Sequence, residues 1–137
     1  MNVETPTGWH NGPLAAWDLE TTGIDVDEAR VVTASCWLIT PGQGKQHREW
    51  LVDPGIDIPE QATQVHGITT AKAKAEGQPA VEAVSEIASA VLYAHHQQIP
   101  VIAYNARYDT TLLHRELVRH GHADLARAWE EFAARGP

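Results

Sequence analysis

An α/β domain built on a mixed sheet with flanking helices is the fold this sequence predicts, and three observations predict it. First, two β-rich apolar runs stand on either side of a tight turn. They are Arg30 to Thr40, with Val31, Val32, Cys36, Trp37 and Ile39, and Gln46 to Val52. The turn between them, Pro41-Gly42-Gln43-Gly44, makes the pair a hairpin. Second, the chain then alternates helix, strand and helix, a pattern that adds crossover connections to hairpin strands. Third, 137 residues with 43% hydrophobic and 20% charged content suit one soluble domain with a real core.

Residues 1–11 are polar with Pro and Gly and read as a flexible lead-in, although Trp9 could pack back onto the domain. Residues 12–137 form the domain. The run Pro13-Leu14-Ala15-Ala16-Trp17 reads as a strand reaching about Glu20, and Thr21-Thr22-Gly23 as the turn that ends it. Gly23 to Glu28 is an acidic, solvated loop. The hairpin follows and ends at Asp53-Pro54-Gly55. Ile56 to Thr70 is irregular, with a short helix near Glu60 to Val65. Pro79 to Tyr93 is the clearest helix, with Val81, Val84, Ile87, Val91 and Leu92 on one face and Pro79 tolerated at its start. Ile99 to Tyr104 is a short buried strand. Ala106 to Arg119 is a helix with Leu112, Leu113, Leu117 and Val118 inward, ended by Gly121. Ala123 to Ala134 is the last helix.

The net charge of −8 argues against passive nucleic-acid binding, because phosphate contacts need Lys and Arg. It leaves room for an enzyme whose acids hold metals that face a phosphate. The single cysteine, Cys36, excludes an internal disulfide and Cys-based zinc sites, and reads as a buried inert thiol. Met1 to Pro13 has neither a basic start nor an apolar stretch, so no signal peptide is expected. No segment is long enough to span a membrane. The expected location is cytoplasmic.

Chemistry concentrates at Trp17-Asp18-Leu19-Glu20-Thr21-Thr22-Gly23. Strand side chains alternate, so Asp18 and Glu20 share one face and Leu19 turns to the other. Two neighbouring anions at the rim of a core demand either a proton or a cation. Oxygen ligands on a rigid strand suit Mg²⁺ or Mn²⁺. Two further stretches join them. One is Gln64-Val65-His66-Gly67-Ile68-Thr69; the other is Ala103-Tyr104-Asn105-Ala106-Arg107-Tyr108-Asp109, where a strand turns into a helix. Asp109 lies in the first turn of that helix, where its charge suits the dipole and can face Asp18 and Glu20.

In that order, Asp-Leu-Glu-Thr-Thr-Gly, Val-His-Gly-Ile-Thr and Tyr-Asn-Ala-x-x-Asp resemble the signature of the DEDDh-type, DnaQ-like 3′–5′ exonucleases. That family includes the proofreading epsilon subunit of bacterial replicative polymerase. The resemblance runs from Leu14 to about Gly121. It implies a ribonuclease-H-like fold and phosphodiester hydrolysis from a 3′ end by two divalent metals about 4 Å apart, one generating hydroxide and one stabilising the leaving oxygen. In that scheme Asp18 bridges both ions, Glu20 holds one, and Asp109 holds the other. Thr21 and Thr22 set backbone and hydroxyl groups against the terminal nucleotide, His66 lies near it, and Asn105 orients the site. Leu19 belongs to the substrate-binding stretch while its side chain is core. The implied partners are the 3′ end of single-stranded DNA or RNA and, as a candidate, a DNA polymerase.

The resemblance also implies a later His followed five positions on by an Asp, which supply the general base and a fourth carboxylate. Here His114 is followed at that spacing by Arg119, His120 by Leu125, and His122 by Arg127. The chain therefore reads as truncated before the last strand and helix elements, with no general base and with impaired activity. The alternative is a non-catalytic or fragmentary domain that binds nucleic acid or a polymerase.

Blander readings stand beside these. Asn105 alone is an ordinary N-cap, Asp109 a helix-dipole partner, and His66 a loop histidine. The sequence lacks the Asp-x-Asp expected of haloacid-dehalogenase-type enzymes. His95-His96 reads as an exposed pair rather than a metal site. The five tryptophans read as core and rim packing. Arg107, Arg115 and Arg119 are the basic candidates for phosphate contact, and a solvated helix face explains them equally well. An unrelated α/β metal-binding domain would be favoured if Asp109 stood far from the strand acids, and missing late elements should expose apolar surface on the sheet or near the second long helix.

Overall fold

The computed structural model describes residues 12–135. The lead-in over residues 1–11, with Trp9, lies outside them. The elements are β1 (Leu14–Thr21), β2 (Val31–Thr40), β3 (Gly44–Asp53), α1 (Glu60–His66), α2 (Thr70–Glu76), β4 (Gln78–Pro79), α3 (Ala80–His96), β5 (Val101–Ala103), α4 (Ala106–Arg119) and α5 (Ala123–Ala134). They form one five-stranded sheet in the order β4-β3-β2-β1-β5. β1, β2 and β3 run antiparallel, whereas β5 lies parallel to β1 and β4 parallel to β3. The expected central strand, β2, is the middle one.

Alternation along β1 sends Trp17 and Leu19 into the main core and leaves Asp18 and Glu20 on the other face. The register of β1 against β2 shifts between Glu20 and Thr21. That irregularity lets β2 turn Val31 into the main core and Val32 into a smaller cluster with Ile58 and Ala73. Helices therefore cover both faces: α3, α4 and α5 the large core, α1 and α2 the small one. Trp129 of α5 stands edge-on to Trp17 with centroids 5.5 Å apart, and its indole N–H donates to the Thr110 carbonyl at 2.9 Å.

The helix boundaries depart little from expectation, but two faces do. Val81 and Val118 are exposed rather than inward. Each sits at the edge of its stripe, where a longer apolar face was read than the helix buries. α2 and β4 were not foreseen. The α2 segment is held by Thr69, whose hydroxyl caps Lys72 N–H at 3.1 Å, and by close approach at Gly77. A Cβ there would lie 2.4 Å from the Ala73 carbonyl oxygen and 2.6 Å from Asp53 N, so α2 and β3 meet only over glycine. Exposed apolar side chains do occur near β5 and α4, at Ile102, Tyr104 and Val118.

Candidate active site

A cleft of about 830 Å³ opens where β1 ends, between α1 and the start of α4. Asp18, Leu19, Glu20, Thr21, Thr22, His66, Asn105 and Asp109 all line it. The parallel pairing of β5 with β1 stops at Trp17↔Ala103. The chain leaves β5 at that level, so α4 starts beside the end of β1 and carries Asp109 opposite its acids.

Asp109 is only 2% exposed, and its Oδ2 has no hydrogen-bond partner. Burial drives its carboxyl up to about 7. The Asp18 and Glu20 charges push the same way, while the Leu19 backbone N–H draws it down. The Asp18 carboxyl is likewise raised by burial, again offset by the Leu19 N–H. Among the described residues no Lys or Arg lines the cleft. Three carboxylates thus line one cleft without a compensating cationic side chain, and one buried oxygen is orphaned. This donor set fits a hard divalent ion. Among the described residues no three His, Cys, Asp or Glu side chains are already gathered around one point, so an ion would draw these carboxylates together on binding.

The supporting residues divide by how free their polar atoms are. Thr22 is buried and committed to Arg30: its N–H donates to the Arg30 carbonyl at 2.9 Å, and its hydroxyl accepts the Arg30 N–H at 3.0 Å. Thr21 donates to the Gly23 carbonyl at 2.8 Å and lies 3.1 Å from the Tyr108 hydroxyl. His66 Nδ1 accepts from Ile68 N–H at 3.1 Å. That fixes Nε2 as the protonated nitrogen, 3.2 Å from the Thr21 carbonyl it donates to. Gly67, at φ 79°, ends α1 immediately after it and holds this turn. Asn105 occupies the N-cap position of α4, but its side chain makes no capping bond, so the ordinary cap reading fails there. It is exposed, and its amide is free to face the cleft.

Several contributors were not foreseen. Tyr108 lines the cleft, and Ile24, Val65 and Tyr104 stand around it 93%, 80% and 96% exposed. Glu116 is fully buried; it accepts the Val31 N–H at 2.8 Å and pairs with Arg119 at 2.5 Å. Arg115 pairs with Asp27 at 3.0 Å. Of the three basic candidates only Arg107 is exposed and without an ion pair among the described residues. His95 packs on Phe132 at 5.0 Å and is half-buried, which corrects the exposed pair, while His96 is exposed. Trp17, Trp50 and Trp129 are core, and Trp37 stacks on His47 at 3.7 Å. A separate cavity of about 330 Å³ between the sheet and α3 is largely apolar, lined by residues such as Trp37, Leu38 and Val91, and holds no carboxylate.

A mixed sheet with carboxylates at the end of its first strand, faced by an acid in the first turn of a later helix, defines a ribonuclease-H-like nuclease domain. The chain belongs to the exonuclease (RNase T) family, whose model matches residues 16–131, and within it to the DnaQ-like DEDDh type. It is 35% identical over 74 residues to the DNA polymerase III subunit epsilon of Aquifex aeolicus (strain VF5), covering 54% of this chain and 36% of that protein. In fold it is similar to a product-bound exonuclease I, with a TM-score of 0.68, 17% identity and coverage of 80% of this chain and 26% of the other. It is also similar to E. coli exonuclease I in complex with a dT13 oligonucleotide, with a TM-score of 0.65, 18% identity and coverage of 80% and 24%. The chain thus spans about a third of the curated relative and a quarter of these structures. Because Asp109 shares the cleft with Asp18 and Glu20, the unrelated metal-binding reading finds no support.

Proposed function

We propose that residues 12–137 are part of a metal-dependent 3′–5′ exonuclease domain that hydrolyses phosphodiester bonds at nucleic-acid 3′ ends. The observation that carries this reading is the cleft itself, which Asp18, Glu20 and a buried Asp109 with one orphaned oxygen all line without a cationic side chain. These three carboxylates would hold Mg²⁺ or Mn²⁺. When bound, such ions activate the attacking water and stabilise the leaving oxygen. The protein's own contribution is positioning. Leu19 offers its backbone N–H while its side chain anchors β1 in the core. Thr21, Thr22 and His66 shape the floor and wall that meet the terminal nucleotide, with Thr22 holding that floor in place through its two bonds to Arg30. Asn105 presents a free amide. The exposed Ile24, Val65 and Tyr104 offer apolar and aromatic faces to an unpaired base. The substrate class is a single-stranded DNA or RNA 3′ end. The likeness to the epsilon subunit supports a DNA polymerase as a candidate partner and a cytoplasmic location.

The 137-residue form should be impaired. It contains no His-x-x-x-x-Asp, and His66, the histidine of the cleft, has both ring nitrogens engaged by backbone. Loss of a general base typically costs about 10²–10⁴-fold. The alternative, a domain that binds nucleic acid without cutting it, is not favoured by the family match. Incubating the purified chain with Mn²⁺ and a 5′-labelled single strand separates the two. Mononucleotide-by-mononucleotide shortening from the 3′ end, abolished by Asp18→Asn, is expected of the nuclease. Retention of the strand without shortening would replace the first reading by the second.

A further inference from the structure

We propose that Tyr108 is a positioning residue: its hydroxyl ties the end of β1 to the first turn of α4 and thereby sets the cleft's affinity for a divalent cation. The inference rests on the metal-site reading above. Tyr108 immediately precedes Asp109 and lies on the same turn of α4. Its hydroxyl donates to the Gly23 carbonyl and meets the Thr21 hydroxyl at 3.1 Å. Thr21 itself donates to Gly23 at 2.8 Å, so the three oxygens close a triangle one residue past Glu20.

The tie is needed there because the ladder is irregular at this point. The register of β1 against β2 is regular up to Glu20, which faces Thr33, and then slips to pair Thr21 with Val31, so the regular ladder ends at the last acid and does not fix the segment from Thr21 onward. Side-chain bonds take over that task. The Thr21 carbonyl accepts from His66, its hydroxyl meets Tyr108, and Thr22 is clamped to Arg30. Further along α4, Arg115 and Arg119 bind Asp27, and Glu116 binds the first N–H of β2. Tyr108 is the end of this seam nearest the carboxylates, and the rest of the seam keeps the loop attached when Tyr108 is changed. Phenylalanine at this position keeps the ring and removes only the tie, so the loss falls on the spacing between the β1 acids and Asp109.

The test compares wild type, Tyr108→Phe, Thr21→Val and the double variant. Mn²⁺ is titrated calorimetrically, and the metal-free unfolding temperature is recorded in parallel. Each single variant should bind Mn²⁺ about five- to tenfold more weakly while its metal-free unfolding temperature moves by only a few degrees. The double variant should lose clearly less than the sum of the two singles, because the Thr21–Tyr108 contact is common to both changes while each hydroxyl also bonds the Gly23 carbonyl on its own. Equal Mn²⁺ affinity in wild type and Tyr108→Phe, or losses that add in the double variant, would overturn the proposal alone. A wild-type chain that binds no Mn²⁺ would overturn the metal-site reading and this proposal with it.

Discussion

Replacing Asp109 by Asn should stabilise the metal-free protein at pH 8 and change it little at pH 4. The sign follows from linkage. In the folded state the Asp109 carboxyl is raised to about 7 from an ordinary 3.8. Between those values the folded chain keeps a proton that the unfolded chain gives up, so wild-type stability is full at acid pH and falls as pH rises toward 7. At 1.36 kcal/mol per pH unit, this interval carries an upper bound of about 4 kcal/mol. Asn, uncharged at every pH, escapes that loss. For a domain of this size a kcal/mol moves the melting temperature by roughly 3–5 °C, so a gain of about 2–4 kcal/mol should appear as roughly 6–20 °C at pH 8. The assay is thermal unfolding in EDTA at pH 4.5, 6 and 8, read as the difference between Asp109→Asn and wild type so that other titrating groups cancel. A difference that stays flat with pH would refute the reasoning, because it would mean that the wild-type carboxylate is not penalised by its burial and by Asp18 and Glu20.

Trp129→Ala should destabilise by about 3–5 kcal/mol, measured by urea unfolding, because it removes the fully buried ring that joins α5 to Trp17 and Phe132. Gly77→Ala should cost about 1–3 kcal/mol in the same assay, since the new Cβ meets backbone of α2 and β3 that has no side-chain end to swing aside. Cys36 should react with iodoacetamide at pH 8 about 100-fold more slowly than a free thiol, because burial raises its thiol to about 11.

Most of the fold was legible because its elements carry strong local signals. The β2–β3 hairpin announces itself by two apolar runs around a Pro-Gly turn, and α4 by Leu112, Leu113 and Leu117 at helical spacing, all fully buried. Strand parity separated Leu19 from Asp18 and Glu20 correctly, since alternation is a property of the strand alone. What escaped depends on contacts distant in sequence. The α2 segment has little apolar content and is set by Gly77 against β3, which no local pattern encodes. The apolar stripes were overdrawn at Val81 and Val118 because sequence gives the spacing but not the width of the surface that covers it. At the site, the ordered motifs brought all eight expected residues to one cleft. Tyr108 was passed over because its bond partners, Thr21 and Gly23, lie 87 and 85 residues away. The contacts of Arg115 and Arg119 to Asp27 were not foreseen because Asp27 becomes their neighbour only when α4 packs along the loop before β2.

The central claim is that Asp18, Glu20 and Asp109 form one divalent-cation site. Calorimetric titration of Mn²⁺ into the chain at pH 7.5, with Asp18→Asn, Glu20→Gln and Asp109→Asn in parallel, tests it directly. Saturable binding by wild type, weakened at least about tenfold by each substitution, is the predicted result, a loss of about 1.4 kcal/mol or more per ligand removed. Binding by all three variants with the affinity of wild type would contradict it.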